Sequence, residues 1–338
     1  MRVLLTGAGG FVGANVAGTL AATFSGTPAA GGQPGARLIA ADLAPPGEDR
    51  RRLLAHVAEH IMWVTLDVRN REALRELVAR ERVTHIVHGA AITALPDEEA
   101  ARAVEIVDVN LGSTINVLAV AAGAPQVERV LMLSSSGVYA VPPHGRLGKG
   151  ARRQPEEGEL ALDGLYSITK RSSELLVGRF ARLTGKKMAA VRLPAVYGPL
   201  ERPSATRPGT STMHRLMEAL RAGRAITVAG PQVGRDWTYL ADAGTAIAEL
   251  LSAPEWHYSV YNVSCGHRYT FREVVAAFAA YGLRATWVGR EDHADVAMRH
   301  SHERLPLDTR RLRRDTGFAP RYDLAGGIAA WLAAEPSA

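Results

Sequence analysis

Tyr166 and Lys170 stand four residues apart in Tyr166-Ser167-Ile168-Thr169-Lys170, so on a helix they share one face. A free phenol, with a pKa of about 10, is too weak an acid to be ionised at neutral pH. A nearby ammonium favours the phenolate and brings the tyrosine into the range of a general acid or base. A second hydroxyl source lies upstream in Ser134-Ser135-Ser136, directly behind the apolar run Arg129–Leu133. Tyrosine, lysine and serine together can take a proton from a hydroxyl on carbon while a third group orients the oxygen.

The other informative stretch is Thr6-Gly7-Ala8-Gly9-Gly10-Phe11-Val12-Gly13, immediately after Val3-Leu4-Leu5. Glycines at 7, 10 and 13 between a strand and a helix serve three purposes: a tight turn, close approach of the backbone to a pyrophosphate, and close packing of helix on strand. The helix start then offers amide donors and a partial positive charge to phosphate. Asp42, at the end of the second apolar run, is placed to accept hydrogen bonds from ribose hydroxyls. It would repel a 2′-phosphate, which favours NAD over NADP. A dinucleotide at the N-terminus and an acid–base tyrosine downstream point to transfer of a hydride and a proton at a hydroxyl-bearing carbon.

These residues are positioned by alternating strand and helix signals, the pattern of βαβ units around a parallel sheet. Strands are expected at Arg2–Leu5, Arg37–Ala41, Met62–Leu66, His85–His88, Arg129–Leu133 and Met188–Arg192. Helices are expected at Phe11–Thr23, Arg71–Arg80, Ala100–Ala122 and Leu165–Thr184. Ser25–Gly35 and Pro142–Gly158 read as loops. Beyond residue 193 the alternation loosens. Helices are expected at Thr212–Ala222, Ala241–Ser252, Phe271–Tyr281 and Thr309–Thr316, and short strands at Ala225–Val228, Tyr261–Val263 and Ala285–Val288. The expected architecture is α/β: a Rossmann doubly wound parallel sheet over 1–193, and a smaller α/β substrate lobe over 194–338 with some segments returning to the main sheet. Gly7–Gly13, Asp42, Asp67, Gly89–Ala91, Ser134–Ser136 and Leu193–Ala195 all follow strand ends and should border one cleft.

Composition narrows the class. The chain has 338 residues, 47% hydrophobic and 22% charged, as in ordinary globular proteins. One cysteine, Cys265, leaves no intrachain disulfide, and a cytoplasmic location is expected. No uninterrupted run of about 18 apolar residues points to a membrane span. The net charge of +6 is scattered over Arg50–Arg52, Arg152-Arg153 and Arg310–Arg314 without interleaved aromatics, so nucleic acid is not an expected partner. The eleven histidines give no metal-ligand grouping, and His300-Ser301-His302 is expected in a surface loop.

These motifs resemble the extended short-chain dehydrogenases/reductases, in particular the NAD-dependent epimerase/dehydratase group that includes UDP-glucose 4-epimerase-like enzymes. The resemblance spans nearly the whole chain. It rests on Thr6–Gly13, Asp67-Val68, His88-Gly89-Ala90-Ala91, Asn110 in Val109-Asn110-Leu111, Ser135 four residues before Tyr139, Arg192–Pro199, and Arg235–Asp242. It implies Ser135, Tyr166 and Lys170 as catalytic residues. It implies cofactor contacts from Gly7, Gly10, Phe11, Val12, Gly13, Asp42, Asp67, Val68, Gly89, Ala90, Ala91, Asn110, Ser134, Tyr166, Lys170, Pro194 and Val196. Thr93, Ser135, Ser136, Ala195 and Arg235 fall on the substrate side. Two departures bear on the substrate. Ala195 stands where nucleotide-sugar epimerases usually carry an asparagine, and Ser136-Gly137 replaces the Asp-Glu pair of the dehydratases. Dehydration is therefore not expected. Arg235 fits the family's diphosphate-binding arginine, and Glu201–Gly209, with Arg202 and Arg207, is an unusual loop able to bind carboxylate or phosphate.

The expected function is an NAD-dependent sugar-nucleotide epimerase that oxidises a secondary alcohol transiently. The alternatives are a net dehydrogenase of a sugar, sugar acid or other secondary alcohol and, more distantly, a non-catalytic dinucleotide sensor. The family resemblance also implies a homodimer built on two long helices, with Ala100–Ala122 and Leu175–Leu183 apolar enough to bury a further face.

Overall fold

The computed structural model describes residues 1–26, 36–141 and 153–335, so much of the two expected loops Ser25–Gly35 and Pro142–Gly158 lies outside the described residues. The main sheet begins with β1 (Arg2–Thr6), β2 (Arg37–Asp42), β3 (Ile61–Thr65), β4 (His85–His88), β5 (Arg129–Ser135) and β6 (Lys187–Leu193). Its first helices are α1 (Phe11–Ser25), α2 (Glu48–Leu53), α3 (Arg71–Arg80), α4 (Ala103–Val107), α5 (Ser113–Gly123) and α6 (Leu165–Thr184). Later in the chain come β7 (Ala195–Tyr197), α7 (Thr212–Arg221), β8 (Ile226–Ala229), β9 (Gly234–Arg235), β10 (Trp237–Tyr239), α8 (Leu240–Ser252) and β11 (Val260–Asn262). They are followed by β12 (Tyr269–Thr270), α9 (Phe271–Ala279), β13 (Ala285–Trp287), β14 (Val296–Ala297), α10 (Arg310–Thr316) and α11 (Leu324–Ala334).

Seven strands pair in parallel in the order β11-β6-β5-β4-β1-β2-β3. The direction of winding reverses between β1 and β4, which opens a crevice above their carboxyl ends. Val3, Leu4 and Leu5 are fully buried, as a central parallel strand covered on both faces requires. On one face α1 and α8 cover the sheet; on the other, α3, α5 and α6 do so through Leu74, Leu118 and Val177. β11, expected among the later elements, pairs with β6 at the sheet edge. Three small sheets, β10-β7, β12-β9 and β13-β8-β14, surround a separate core that includes Met213, Phe271 and Trp331.

The expected helix over 100–122 forms as α4 and α5, joined by a wide π-type turn over Asp108–Gly112. This run, Ala103–Gly123, is long and apolar enough by mean hydropathy to cross a membrane, but Glu105, Asp108, Asn110 and Asn116 interrupt it, so the expectation of no uninterrupted apolar run stands. Here its inner face lies against the sheet and α3, and its buried Val117, Leu118, Val120 and Ala121 belong to the core alongside buried Asn110, Ser113 and Thr114. The short elements α2, β7, β9, β10, β12 and β14, and the helix α11, were not expected. Most are too short to show a period, and α11 is apolar on nearly every side.

Candidate active site

The crevice is a cleft of about 730 Å3 at the carboxyl ends of β1, β2, β4, β5 and β6. Its floor on one side is the turn between β1 and α1. Gly7 has φ of +71°, and a Cβ there would lie 2.6 Å from the Ala90 nitrogen. A Cβ on Gly13 would lie 2.0 Å from the Gly7 oxygen. Both positions are closed to any other residue, and the turn presents the N-terminus of α1 to the cleft. Asp42 closes the end of β2, and its Oδ2 accepts the Gly9 amide at 2.7 Å. The Arg50 Nε–H donates to the Gly9 carbonyl beside it. This cradle with a carboxylate at its rim fits a dinucleotide with free ribose hydroxyls.

The trio expected to be catalytic, Ser135, Tyr166 and Lys170, is assembled from two elements. Ser135 ends β5, and its Oγ accepts the Gly137 amide at 3.0 Å. Tyr166 and Lys170 lie one turn apart on α6. The start of this helix is held by Glu99, whose carboxylate accepts the Leu165 amide at 3.1 Å, a charge well placed against the helix dipole. The Tyr166 hydroxyl is hydrogen-bonded to the side chains of Ser135 and Thr93. Lys170 Nζ lies 5.7 Å from the centre of the Tyr166 ring and donates to the Leu133 carbonyl at 2.7 Å.

The electrostatics differ from the expectation of a phenol made acidic by Lys170. Burial pushes the Tyr166 phenol above its usual pKa, opposed by the Ser135 hydrogen bond and by the charge of Arg207. Burial pulls Lys170 down to about 8, opposed by the Glu174 carboxylate one turn further on. The lysine is committed to a main-chain carbonyl rather than to the phenol oxygen, and desolvation by burial is the largest influence on both groups.

Beneath the trio lies a buried polar network. Glu174 accepts from Ser134 Oγ at 2.6 Å, from Arg192 Nε at 2.7 Å and Nη2 at 2.6 Å, and from Arg171 Nη1 at 3.0 Å. Arg192, almost fully buried on β6, donates Nη1 to the Tyr139 hydroxyl at 2.7 Å and to the Glu156 carbonyl at 2.9 Å. Sequence reading singled out Arg192 only within a motif. No local signal pairs it with a residue 18 positions away on another element.

Of the residues expected at the site, Gly7, Gly10, Phe11, Val12, Gly13, Asp42, Gly89, Ala91, Thr93, Ser134, Ser135, Tyr166, Lys170, Pro194, Ala195, Val196 and Arg235 line the cleft. Asp67, Val68, Ala90, Asn110 and Ser136 do not appear on its wall. Asp67 pairs with Arg69 at 2.7 Å, which holds its carboxyl below the usual range. Asn110 is buried, accepts the Ile92 amide at 2.7 Å and donates to the Ile92 carbonyl at 3.0 Å, so it fixes the segment leading to Thr93. Ala90 packs against Gly7, and Ser136 is buried in the turn after β5.

The far wall was less legible. Arg235 crosses the Trp237 ring at 5.5 Å, and burial lowers its pKa to about 10. Arg235 Nε, Trp237 Nε1 and the neighbouring Arg304 Nε are buried without a partner among the described residues. His302 lines the cleft and, half-buried beside Arg235, is held below its usual pKa by burial, which corrects its expected place in a surface loop. The segment 200–211 crosses the mouth. The Thr93 amide donates to the Thr206 carbonyl at 2.7 Å. Fully buried Glu201 accepts from Arg207 Nη2 at 2.6 Å and from the Ser211 amide at 2.8 Å. Glu335, beyond α11, accepts the Leu200 amide at 2.7 Å and Arg221 Nη1 at 2.8 Å.

A doubly wound sheet with a glycine cradle at its switch point and a Ser–Tyr–Lys cluster across the cleft defines a dinucleotide-dependent enzyme of the short-chain dehydrogenase/reductase type. Residues 3–264 match the model of the NAD dependent epimerase/dehydratase family, and the chain belongs to that family; its cofactor is NAD. It is 28% identical over 334 residues to a dTDP-glucose 4,6-dehydratase of Streptomyces niveus, covering 97% of this chain and 90% of that one. It is 27% identical over 264 residues to a probable UDP-glucuronate 4-epimerase of Rhizobium meliloti, covering 75% and 69%. A UDP-glucuronic acid 4-epimerase of Bacillus cereus, solved with UDP-glucuronic acid and NAD, shares the fold with a TM-score of 0.77. It is 17% identical and covers 99% of this chain and 98% of its own.

Proposed function

We propose that this protein is an NAD-dependent sugar-nucleotide epimerase. The observation that carries the reading is one cleft holding both the Ser135–Tyr166–Thr93 hydroxyl cluster and, on the far wall, the buried guanidinium of Arg235 with an unpartnered N–H. The cluster suits a secondary alcohol. The guanidinium, with Trp237 Nε1 beside it, suits a diphosphate, because a buried donor gains most from a charged acceptor. In this reading Ser135 orients the reacting hydroxyl and Tyr166 takes its proton, returning it after the ketone has presented its other face. Lys170 and the α1 turn hold the cofactor, with Phe11 and Val12 at the pyrophosphate and Asp42 at the ribose. Bound NAD supplies the hydride acceptor.

Relatives include dehydratases as well as epimerases. Water elimination needs a carboxylic acid next to the hydroxyl cluster, and Ser136 and Gly137 bring none. A net dehydrogenase is the second reading, favoured by Ala195 in the cleft wall where an amide would meet a diphosphate. We also propose that residues 194–338 act mainly as the substrate-binding part, and that the chain dimerises. The exposed Val104 and Ile115 on α4 and α5 and Leu175 and Leu183 on α6 form an apolar face suited to a second copy, which sedimentation would read as a doubled mass.

The test is proton NMR of the enzyme with a trace of NAD and a panel of UDP-sugars. A new isomer with only a trace of NAD supports epimerisation, and NADH formed one-for-one with oxidised sugar when NAD is then supplied in excess supports the dehydrogenase. Tyr166→Phe should abolish either while NAD still binds, and retained turnover would refute the mechanism.

A further inference from the structure

Arg207 lines the same cleft and its charge acts on the Tyr166 phenol, yet neither the proton transfer nor the diphosphate site gives it a ligand. The structure separates it from its neighbour in the same loop. Arg202 also lines the cleft but is half-exposed at its rim, with its Nη1 donating to the Glu201 carbonyl at 2.8 Å and its Nη2 3.6 Å from Glu335. Arg207 is held differently. Its Nη2 is fixed at 2.6 Å by Glu201, its guanidinium lies 4.9 Å above the Phe11 ring, and its Nε is buried without a partner among the described residues.

Its position relative to the reacting hydroxyl is set by a short chain of contacts. The Tyr166 hydroxyl bonds the Thr93 side chain, and the Thr93 amide bonds the carbonyl of Thr206, the residue before Arg207. Arg207 lines the cleft and its charge acts on the Tyr166 phenol, so the guanidinium stands within reach of a substrate group next to the oxygen that Tyr166 would deprotonate. A planar fork with an unpartnered N–H, anchored by a fully buried carboxylate, is pre-organised for a second, external carboxylate. A neutral hydroxymethyl group there would leave the buried Nε–H unsatisfied by charge.

Building on the reading of the site as one for oxidation at a sugar carbon, we propose that Arg207 recognises a carboxylate on the substrate, so that the enzyme acts on a sugar acid. The carboxylate belongs either to a uronosyl nucleotide, which would also engage Arg235, or to a free sugar acid.

The test is equilibrium binding, by tryptophan fluorescence, to NAD-loaded Tyr166→Phe protein, which cannot turn over. The ligands are UDP, UDP-glucose, UDP-glucuronate and free glucuronate. Binding of an acid at least about tenfold tighter than its neutral counterpart is expected, lost in Arg207→Gln and partly kept in Arg207→Lys. Arg207→Gln leaves Glu201 buried and unpaired, so Glu201→Gln/Arg207→Gln serves as a second variant that keeps the loop neutral. Acid selectivity of UDP-glucuronate over UDP-glucose assigns the nucleotide source. Binding of free glucuronate but not of UDP assigns the free acid, which sinks the sugar-nucleotide reading while keeping this one. Equal binding of UDP-glucose and UDP-glucuronate overturns the proposal and leaves the nucleotide reading intact. A loss of NAD affinity in both Arg207 variants that matches the loss for the acid overturns it too, because the guanidinium would then serve the cofactor.

Discussion

Replacing Glu174 by glutamine tests whether the network under the trio supports it. The substitution keeps the shape and removes one charge from a site where four donors converge on the carboxylate, three of them at 2.6–2.7 Å. Arg192, whose pKa is raised by this pairing, would remain charged and about 1% exposed with no counter-ion. Breaking a buried pair from one side costs about 3–5 kcal/mol. For a chain of 338 residues that is a fall of roughly 4–7 °C in Tm, taking an unfolding entropy near 2.1 cal/mol/K per residue. The same change removes the charge that holds Lys170 up. The lysine then loses its proton below its present value of about 8, and the alkaline limb of the activity profile moves to lower pH. Calorimetry and a pH–rate profile read the two effects. Glu174→Gln/Arg192→Met removes both charges and should recover much of the stability but not the pH shift. A single variant destabilised by less than about 1 kcal/mol, the value of an ordinary surface pair, would refute the reasoning.

Two further outcomes follow from particular contacts. Gly13→Ala places a methyl 2.0 Å from the Gly7 oxygen, so the turn must open; stability should fall by about 1–3 kcal/mol and NAD binding by fluorescence titration should weaken sharply, whereas unchanged NAD affinity would contradict the cradle. His88, enclosed by Thr6 and Ser113, is pulled by burial to about 3. Its folded pKa lies below the unfolded value of about 6.5, so the unfolded chain binds the extra proton and stability falls as pH drops from 6.5 towards 3. Urea unfolding across that range should show a flatter slope in His88→Gln.

The sequence carried the main sheet because its strands centre on apolar runs and the longer helices between them, such as α3 and α6, keep a helical period. It also carried the cradle and the Ser135–Tyr166–Lys170 cluster, since turn glycines and a four-residue helical spacing are local signals. What it did not carry is non-local. Ser134 and Arg192 meet Glu174 only after β5, β6 and α6 pack, so the roles of this network could not be read from spacing. Tyr166 and Lys170 have the expected spacing, yet their pKa directions follow from burial, which a helical wheel does not show. His302 looked like part of a surface loop because its neighbours are polar, and only the packing of its turn beside Arg235 brings it to the cleft.

The carboxylate of Glu335 seats the first residue of the segment that crosses the mouth, through the Leu200 amide, while Arg202 and Arg221 gather around it. The posture of the loop across the mouth is thus partly set by a residue 135 positions away in the chain. Exchanging loop 201–211 between relatives without the end of α11 would transplant the letters but not the posture. Directed evolution for new substrates should accordingly accumulate changes at the close of α11, where an alignment centred on the catalytic motifs would not look for them.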